Sequence, residues 1–491
     1  MQGGHRRKRG RGPVSERVGA RELLRRVLDG EWTSWDAPID PGGSEELIAA
    51  RERSGCDEAV LTGAGALRGR RVAFVVSEFR FLAGSIGRAT ADRIVAAVER
   101  ATAERLPLLA APCSGGTRMQ EGTAAFVEMA RITAAVMAHR AAGLPYLVYL
   151  RHPTTGGVFA SWGSLGHVTA AEPGALIGFL GPRVYEGLRG EPFPAGVQVA
   201  ENLAAKGLLD VVGGVDQLAE TASRVLDVLC ARPPAEKITE PPSAVADDPV
   251  WDSIVRSRAP TRPGARDLLH HGATQVTPLS GTGRAEPGLV LALARFGAAP
   301  CVLVAQDRRS QRGGHPLGPA GLRVARRGMR LAAELALPLV TVVDTPGAVL
   351  SAEAEEGGLG GEIARCLADL VTLPAPTLCL LLGEGAGGAA LALLPADRVL
   401  AARHAWLAPL PPEGASVIVH RVPDRAAELA AAQGVRSADL LRDGIVDAIV
   451  DERPDASAEP AEFCRRAARA IERGLSGLVP GTPAARQARR R

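Results

Sequence analysis

The 491-residue sequence is poor in aromatic residues and in lysine. Phe, Trp and Tyr make up 3% of the chain, so Ala, Val, Leu and Ile must fill any core. The lysines are Lys8, Lys206 and Lys237. Because none of them follows a glycine cluster, the sequence excludes a phosphate-binding G-x-x-x-x-G-K-[ST] loop.

Metal and disulfide signatures are also missing. The 7 cysteines are scattered singly without a C-x-x-C pair, which excludes a zinc ribbon or a redox pair of that kind. The histidines show no H-x-x-x-H spacing, and we interpret them as loop or surface residues, with no metal site. Together with the lack of a secretory leader or a long apolar run, the scattered cysteines predict a cytoplasmic protein.

The formal net charge of +4 comes from the ends of the chain. Residues 1–12 and 481–491 are rich in Lys and Arg and contain no acid, so the body between them is acidic overall. A nucleic-acid-binding protein usually carries its basic patch on the folded domain. We therefore expect two disordered basic tails, no nucleic-acid partner and no membrane association.

Residues 106–122, LPLLAAPCSGGTRMQEG, are the stretch around which the chain is organised. An apolar run of buried-strand type leads into a Ser-Gly-Gly turn, and a helical pattern follows. Gly115 and Gly116 allow the backbone to turn sharply and to approach a ligand closely. A turn of this kind places backbone N–H groups where negative charge can be held.

The same devices recur further along the chain. Residues 337–347, LPLVTVVDTPG, repeat the first turn, while 144–157 and 375–388 contain a second kind of glycine turn. One spacing of 231 positions separates four pairs of landmarks, which are Pro107 and Pro338, Pro145 and Pro376, Gly157 and Gly388, and Gly87 and Gly318. The shared spacing indicates an internal duplication into two tandem domains, whose period is too long for a solenoid.

Alternating strand and helix patterns predict an α/β fold with parallel strands in each half. Predicted helices include 88–104 and 319–335, whereas 30–58 reads as a loop. The predicted organisation is a disordered basic tail at 1–15, an N-terminal domain at 16–230, a Pro-rich linker at 231–264, a C-terminal domain at 265–475 and a second basic tail at 476–491.

No side-chain constellation for acid–base or nucleophilic catalysis is visible. Ser114 lacks the G-x-S-x-G elbow, and it reads as a structural turn residue, as Cys113 reads as a packing residue. What remains is backbone chemistry, in which turn amides stabilise an oxyanion. The alternative is that each glycine only permits a tight turn, but the duplicated set favours two facing oxyanion sites.

Two long stretches carry a resemblance to a known family. CSGGTRMQEG, followed by GLPYLVYLRHPTTGGVFASWGSLGHV, resembles the beta subunit of the carboxyltransferase of bacterial acetyl-CoA carboxylase. LPLVTVVDTPGA and GEGAGGAALALLPADRVLAARHAWLAPLPPEGAS resemble its alpha subunit. The resemblance covers roughly 16–225 and 270–450, and it implies two tandem crotonase-like (ClpP/crotonase) spiral domains.

The resemblance implies a carboxyltransferase component of a biotin-dependent acetyl-CoA or acyl-CoA carboxylase. Carboxybiotin on a carrier protein would give its carboxyl group to the α-carbon of an acyl-CoA, forming malonyl-CoA or a homologue for fatty acid biosynthesis. Biotin itself would act as the base. The implied partners are a biotin carboxyl carrier protein, a biotin carboxylase and further copies of this chain, in a dimer or a larger oligomer.

Site residues follow from the same motifs. The resemblance implies that Gly115 and Gly116 hold the thioester enolate and that the 387–389 turn holds the biotin ureido oxygen. It assigns substrate-binding roles to Ser114, Arg118 and the 156–157 turn. The catalytic set is Gly115, Gly116, Gly387, Gly388 and Ala389, and the substrate-binding set is Ser114, Arg118, Gly156 and Gly157.

The sequence departs from that family at several points. The four-cysteine zinc ribbon of many beta subunits is missing, the two subunits are fused, and Gly387 and Ala389 replace the usual Ser and second glycine. No lysine follows a Met, so we expect the biotin to be carried by a partner. A malonyl-CoA or malonate-type decarboxylase component and a non-catalytic assembly partner remain as alternatives.

Overall fold

The computed structural model describes residues 18–39, 44–236, 248–280 and 286–482, together with residues 484 and 486. Within them, the chain forms two α/β units, each built around its own large sheet. The predicted tail 1–15 and residues 237–247 of the predicted linker lie outside the described residues. No described helix is both long enough and apolar enough to span a membrane.

The N-terminal unit alternates strands and helices along most of its length. Its strands are β1 (Thr33–Ser34), β2 (Val60–Leu67), β3 (Arg70–Ser77), β4 (Leu108–Ala111), β5 (Tyr146–Leu150), β6 (Thr154–Thr155), β7 (Val168–Ala171), β8 (Ile177–Gly178) and β9 (Val211–Val212). Its helices are α1 (Ala20–Val27), α2 (Glu45–Ser54), α3 (Arg88–Ala103), α4 (Gly122–Ala141), α5 (Gly156–Phe159), α6 (Pro182–Arg189), α7 (Ala200–Ala205) and α8 (Val215–Leu229).

The C-terminal unit repeats this alternation with additional helices at its end. Its strands are β10 (Gln275–Leu279), β11 (Leu289–Phe296), β12 (Ala299–Gln306), β13 (Leu339–Thr345), β14 (Thr377–Ala386), β15 (Arg398–Ala402), β16 (Trp406–Ala408) and β17 (Ala448–Val450). Its helices are α9 (Val250–Ser257), α10 (Ala265–Gly272), α11 (Arg308–Arg312), α12 (Pro319–Leu335), α13 (Ala352–Glu356), α14 (Leu359–Val371), α15 (Gly387–Leu391), α16 (Pro412–His420), α17 (Ala426–Gln433), α18 (Ser437–Arg442) and α19 (Pro460–Leu475).

The two large sheets have the same topology. The first runs β1-β2-β3-β4-β5-β7-β9 and the second β10-β11-β12-β13-β14-β15-β17, with β16 added beside β14. In each sheet the first three strands are antiparallel, and the later strands pair in parallel. The predicted α/β class with parallel strands in each half is therefore confirmed.

The duplication extends to matched contacts around the helix starts. Gly87 precedes α3, and Gly318 precedes α12. An isolated parallel bridge joins Ile86 to Thr117 in the first half, and another joins Leu317 to Ala348 in the second. Each member of these pairs has its counterpart 231 positions away, so the repeat seen in the sequence is also a structural repeat.

Several elements were not predicted from the sequence, among them α2 and β2. The loop-like range 30–58 contains α2, whose first turn carries Glu45 and Glu46 after Ser44; this acidic start is typical of a helix N-terminus. The strand β2 was missed because its central TGAGA sequence has low β propensity. Pairing with β3 along its whole length nevertheless holds it in the sheet.

Two ranges that we expected to be irregular are partly packed. Within the predicted linker, α9 contributes Ile254 to an apolar cluster that also contains Trp406. Within the predicted C-terminal tail, Arg486 binds Asp397 at 2.7 and 2.9 Å and also donates to the carbonyl oxygens of Leu373 and Ala375. At these residues the expectation of an irregular chain is wrong.

One apolar core crosses the boundary between the two units. Leu23 of α1 and Val225 of α8 belong to the same buried cluster as Leu291 of β11 and Leu303 of β12. The last helix of the N-terminal unit thus covers strands of the C-terminal sheet. Since breaking this contact would expose apolar surface, we expect the units to keep a fixed orientation.

Candidate active site

The first glycine turn follows β4 and is held by its own backbone and side chains. Gly115 N–H donates to the carbonyl oxygen of Ala83 at 3.0 Å, and Gly116 N–H donates to Ser114 Oγ at 3.0 Å. Gly116 has φ +112°, a value that disfavours residues with a side chain. Both amides that the sequence assigned to the enolate therefore already have acceptors inside the chain.

The second turn of the N-terminal unit lies directly against the first. Thr155 N–H donates to the carbonyl oxygen of Ser114 at 2.9 Å, and a β-carbon on Gly116 would lie 3.5 Å from Gly157 N. Gly156 N–H is bonded to the Phe179 carbonyl at 3.0 Å. Because Gly157 is in the first turn of α5, its N–H has no intrahelical acceptor and can reach a ligand. We call residues 114–117 and 156–157 the N-terminal corner.

The corresponding turns of the C-terminal unit, residues 345–348 and 387–389, form what we call the C-terminal corner. Gly347 N–H donates to Thr345 Oγ1 at 3.1 Å, repeating the contact of Gly116 with Ser114, and Gly347 has φ +128°. Thr345 also pairs with Gly385 in the sheet, which brings the two turns together. Each corner is thus a pair of adjacent turns at the carboxyl edge of a sheet.

Backbone donors at the C-terminal corner are provided by 387–389. Gly387 adopts φ +66°, and a β-carbon there would meet the Pro409 carbonyl oxygen at 3.4 Å. The Ala389 carbonyl accepts from Gln306 Nε2 at 2.7 Å. Since Gly388 and Ala389 begin α15, their N–H groups lack intrahelical acceptors. The replacement of a glycine by Ala389 leaves these amides in place.

Arg118 has a different environment from the one its motif suggested. Its side chain is 3% exposed, and its guanidinium pairs with Glu58, also contacting Glu121 Oε1 at 3.1 Å and Thr90 Oγ1 at 3.1 Å. Glu121 in turn accepts from the Arg88 N–H at 2.7 Å, at the start of α3. The guanidinium is thus engaged inside the chain and positions the turn, and the substrate-binding role that the resemblance implies for Arg118 stays a prediction.

A buried charged cluster lies behind the C-terminal corner and was missed by the sequence analysis. Asp344 Oδ1 accepts from Arg308 Nε at 3.1 Å and from Glu384 N–H at 3.1 Å, while Arg312 pairs with Glu384. Burial raises the pKa of Glu384, and the Arg312 guanidinium opposes this shift. The available sequence signal was the presence of Asp344 and Glu384 near the ends of two strongly apolar strands. Their arginine partners are distant in the sequence, so they could not be identified from it.

Among the described residues, no set of metal-ligating side chains lies at these turns. In the part of the chain that the structure describes, no three His, Cys, Asp or Glu side chains are arranged to hold a metal ion. Burial lowers the pKa of His139 to about 4, which suits a neutral, packed imidazole. The chemistry available at both corners is hydrogen-bond donation from the main chain.

Both corners of one chain are distant from the contact between α4 and α12. The C-terminal ends of these helices meet, with Arg140 Nη2 at 2.6 Å from Glu334 Oε2. The N-terminal end of α4 follows the first glycine turn, and that of α12 lies beside the turn at 345–348. Helices of 20 and 17 residues span about 30 and about 25 Å. Each corner therefore lies about one helix length from the place where the two helices meet.

The fold and its paired glycine turns define a crotonase-like α/β protein with two tandem parallel-sheet domains. The family model for the carboxyl transferase domain matches residues 40–483. Transcarboxylase 12S, solved as a hexamer assembly, has a similar fold with a TM-score of 0.74 at 23% identity, over 92% of this chain and 89% of that one. A single-chain, multi-domain long-chain acyl-CoA carboxylase gives a TM-score of 0.73 at 18% identity, over 93% of this chain and 46% of that one.

Sequence relatives point the same way. The chain is 61% identical over 469 residues, 94% of its own length and 95% of the relative's, to a probable biotin-dependent acyl-coenzyme A carboxylase beta3 subunit of Mycobacterium tuberculosis (strain ATCC 25618 / H37Rv). It is 38% identical over 462 residues, 88% and 80% of the two chains, to the acetyl-coenzyme A carboxylase carboxyl transferase subunits beta/alpha of Salinispora arenicola (strain CNS-205). The chain belongs to the carboxyl transferase family, as its motifs predicted.

Proposed function

We propose that this carboxyltransferase moves a carboxyl group from carboxybiotin on a carrier protein to the α-carbon of an acyl-CoA, giving malonyl-CoA or a homologue. The observation that carries the proposal is the pair of glycine corners, each offering main-chain donors, in a chain of the carboxyl transferase family. Carboxybiotin would supply the carboxyl group and the nitrogen that accepts the α-proton. The N–C bond would break first, releasing CO₂; the freed nitrogen would then take the α-proton, and the resulting enolate would form the new C–C bond to CO₂.

On the acyl-CoA side, we assign the donor role to Gly157. The amides of Gly115 and Gly116 are already bonded to Ala83 and Ser114, so these residues shape the turn against which the thioester would lie. A main-chain N–H aimed at the thioester oxygen stabilises the negative charge that develops when the α-proton leaves. Residues 16–230 would thus form the acyl-CoA domain.

On the biotin side, the N–H groups of Gly388 and Ala389 would face the ureido oxygen. The Gln306 contact to the Ala389 carbonyl holds the turn from behind, so the donors are fixed before the substrate arrives. Residues 265–475 would form the carboxybiotin domain. The biotin itself would come from a biotin carboxyl carrier protein loaded by a biotin carboxylase, because the lysines do not follow a Met.

A complete site requires two copies of the chain. Each corner lies about one helix length from the contact between α4 and α12, and apolar side chains are exposed on a helix next to each of them: Phe126 is 62% exposed on α4, and Ile418 is 60% exposed on α16. Exposed apolar patches of this kind mark protein interfaces. We propose that the N-terminal corner of one chain faces the C-terminal corner of another in a homodimer or a larger oligomer.

Reconstitution with the cognate carrier and biotin carboxylase tests the function. With ATP and labelled bicarbonate, we expect the label to enter one or more members of a panel from acetyl-CoA to long-chain acyl-CoA. Release of CO₂ from malonyl-CoA without any forward carboxylation would instead identify a decarboxylase component. Activity that survives Gly157→Val and Gly388→Val would identify a non-catalytic assembly partner.

A further inference from the structure

The joining segment, residues 248–262 of the predicted linker, is fastened to the rest of the C-terminal unit by arginine–carboxylate pairs, and three of those in the described chain are bidentate. At its start, Asp248 binds Arg403 at 2.7 and 3.1 Å. At its end, Arg262 binds Glu452 through two contacts of 2.8 Å, and both side chains are fully buried. The third pair, between these two, contains Arg258. Bidentate pairs of this kind fix both distance and orientation.

Arg258 differs from the other two because it contacts two walls of the C-terminal corner. Its Nη1 and Nη2 lie 2.6 and 3.0 Å from the carboxylate of Glu413, in the first turn of α16. Its Nε lies 3.4 Å from Glu384 Oε2, on the strand that leads directly into Gly387. One guanidinium therefore connects the helix on one side of the corner to the strand on the other.

The packing around this contact leaves little freedom. The guanidinium carbon of Arg258 lies 5.7 Å from the ring centre of Trp406, which is completely buried. Trp406 is on β16, the short strand paired with β14 just before the turn. The chain then passes Pro409, whose carbonyl abuts Gly387, and enters α16. A change at Arg258 would thus alter the distance between the turn amides and α16.

The N-terminal corner has no comparable fastening among the residues that the structure describes. Its corresponding helix, α6, also begins with a proline, and none of its described side chains is buried. Tyr185 of α6 bonds to Glu191 in an exposed contact. The arginine connection therefore belongs to the C-terminal corner, and it comes from the joining segment, which has no counterpart inside the duplicated unit.

We infer that Arg258 is a positioning residue for carboxyl transfer, holding α16 and the Gly387–Ala389 turn at the separation that the biotin group requires. The inference rests on the proposed function, because it concerns the width of the biotin side of that site. It predicts that the joining segment controls the use of carboxylated carrier without affecting the recognition of acyl-CoA.

The test compares Arg258→Gln and Glu413→Gln with Asp248→Asn in the full chain, assayed with carrier and biotin carboxylase. Asp248 is on the same segment and forms a bidentate pair with Arg403 of the C-terminal unit. The side chains of Asp248 and Arg403 are 25% and 27% exposed, close to the 24% of Arg258. We expect Arg258→Gln and Glu413→Gln to reduce kcat/KM for carboxylated carrier by about 10-fold to 100-fold, as small misplacements of reacting groups do. KM for acyl-CoA should change less than about twofold, because neither substitution is in the domain that would bind acyl-CoA.

Conservative replacement and a fold control complete the experiment. Arg258→Lys should recover part of the lost activity, because it keeps the charge but loses the bidentate geometry. Asp248→Asn should retain wild-type kinetics, and all variants should elute as the wild-type oligomer. Equal losses in Asp248→Asn, or parallel changes in the carrier and acyl-CoA parameters, would overturn the inference. A wild-type chain without carboxylation activity would overturn the proposed function itself.

Discussion

The two glycine corners share a backbone but differ in what supports it. Ser114 and Thr345 make the same contact to the glycine two residues on, yet Asp344 and Glu384 of the C-terminal corner stand where the N-terminal corner has Cys113 and Pro153. A buried charge cluster with three arginines lies beside the C-terminal corner, whereas a single buried arginine, Arg118, pairs with Glu58 and Glu121 beside the N-terminal corner. The two halves thus share the glycine turns with their main-chain N–H donors, but differ in the charged residues that surround those turns.

The largest expected effect concerns the buried ion pair of each half. Arg118→Met leaves Glu58 buried without its partner, and Arg308→Met does the same to Asp344, whose side chain is 1% exposed. We expect each change to lower the free energy of unfolding by about 3–5 kcal/mol. Urea denaturation followed by circular dichroism measures both. A smaller loss at Arg308 than at Arg118 would show that neighbouring arginines compensate in the C-terminal cluster.

The next effect separates the roles of the two corners. Gly157→Val and Gly388→Val keep the N–H but add a side chain that would crowd Met129 and Ile363, respectively. If this keeps the substrate oxygen from the N–H, each should reduce carboxyl transfer by about 10²–10³-fold, as the loss of one oxyanion contact does. Gly157 is a cleaner probe than Gly116, whose positive φ would add backbone strain to any replacement. The kinetic defect of Gly157→Val should appear in the parameters for acyl-CoA, and that of Gly388→Val in the parameters for carboxylated carrier. Gly360→Ala, in open space on α14, serves as the control.

The contact that joins the two halves should respond to acid. The hydrogen bond from His167, followed by the Arg140 guanidinium, lowers the pKa of Glu334 to about 2 against the effect of burial. A lowered pKa stabilises the folded chain above the ordinary carboxyl range, and this stabilisation is lost as the pH falls from about 4.5 towards about 2. Glu334→Gln should cost about 1–2 kcal/mol at pH 7, a value reduced for partial exposure. In urea titrations, the free energy of unfolding of Glu334→Gln should also fall less between about pH 5 and about pH 3 than that of the wild type.

The smallest expected effect compares the hydroxyls that hold the two turns. Ser114→Ala removes the acceptor for Gly116 N–H and should cost about 1 kcal/mol. Thr345→Val should cost more, about 1–3 kcal/mol, because Thr345 Oγ1 also donates to Gln311 Oε1 at 2.7 Å and would leave that buried oxygen unpaired. Thermal unfolding of the two variants measures the difference. Equal losses would mean that the Gln311 contact adds nothing at the C-terminal corner.

The duplication, the parallel α/β units, the glycine turns and the family could all be predicted from the sequence. Those features depend on local patterns, such as apolar runs ending at glycine, repeated at a fixed spacing. The sequence also excluded a biotin lysine, since Lys8, Lys206 and Lys237 have no preceding Met.

The sequence could not predict which main-chain N–H groups remain available to a ligand or which side chains support them, and the folded chain shows both. The acceptor of Gly115 N–H is Ala83, the partner of Arg118 is Glu58, and the partner of Arg258 is Glu413. The meeting of α4 and α12 at their C-terminal ends depends on residues 194 positions apart. Hydrogen bonds and ion pairs between distant residues leave no periodic pattern in a single sequence, so their formation becomes visible only when the folded chain brings them together.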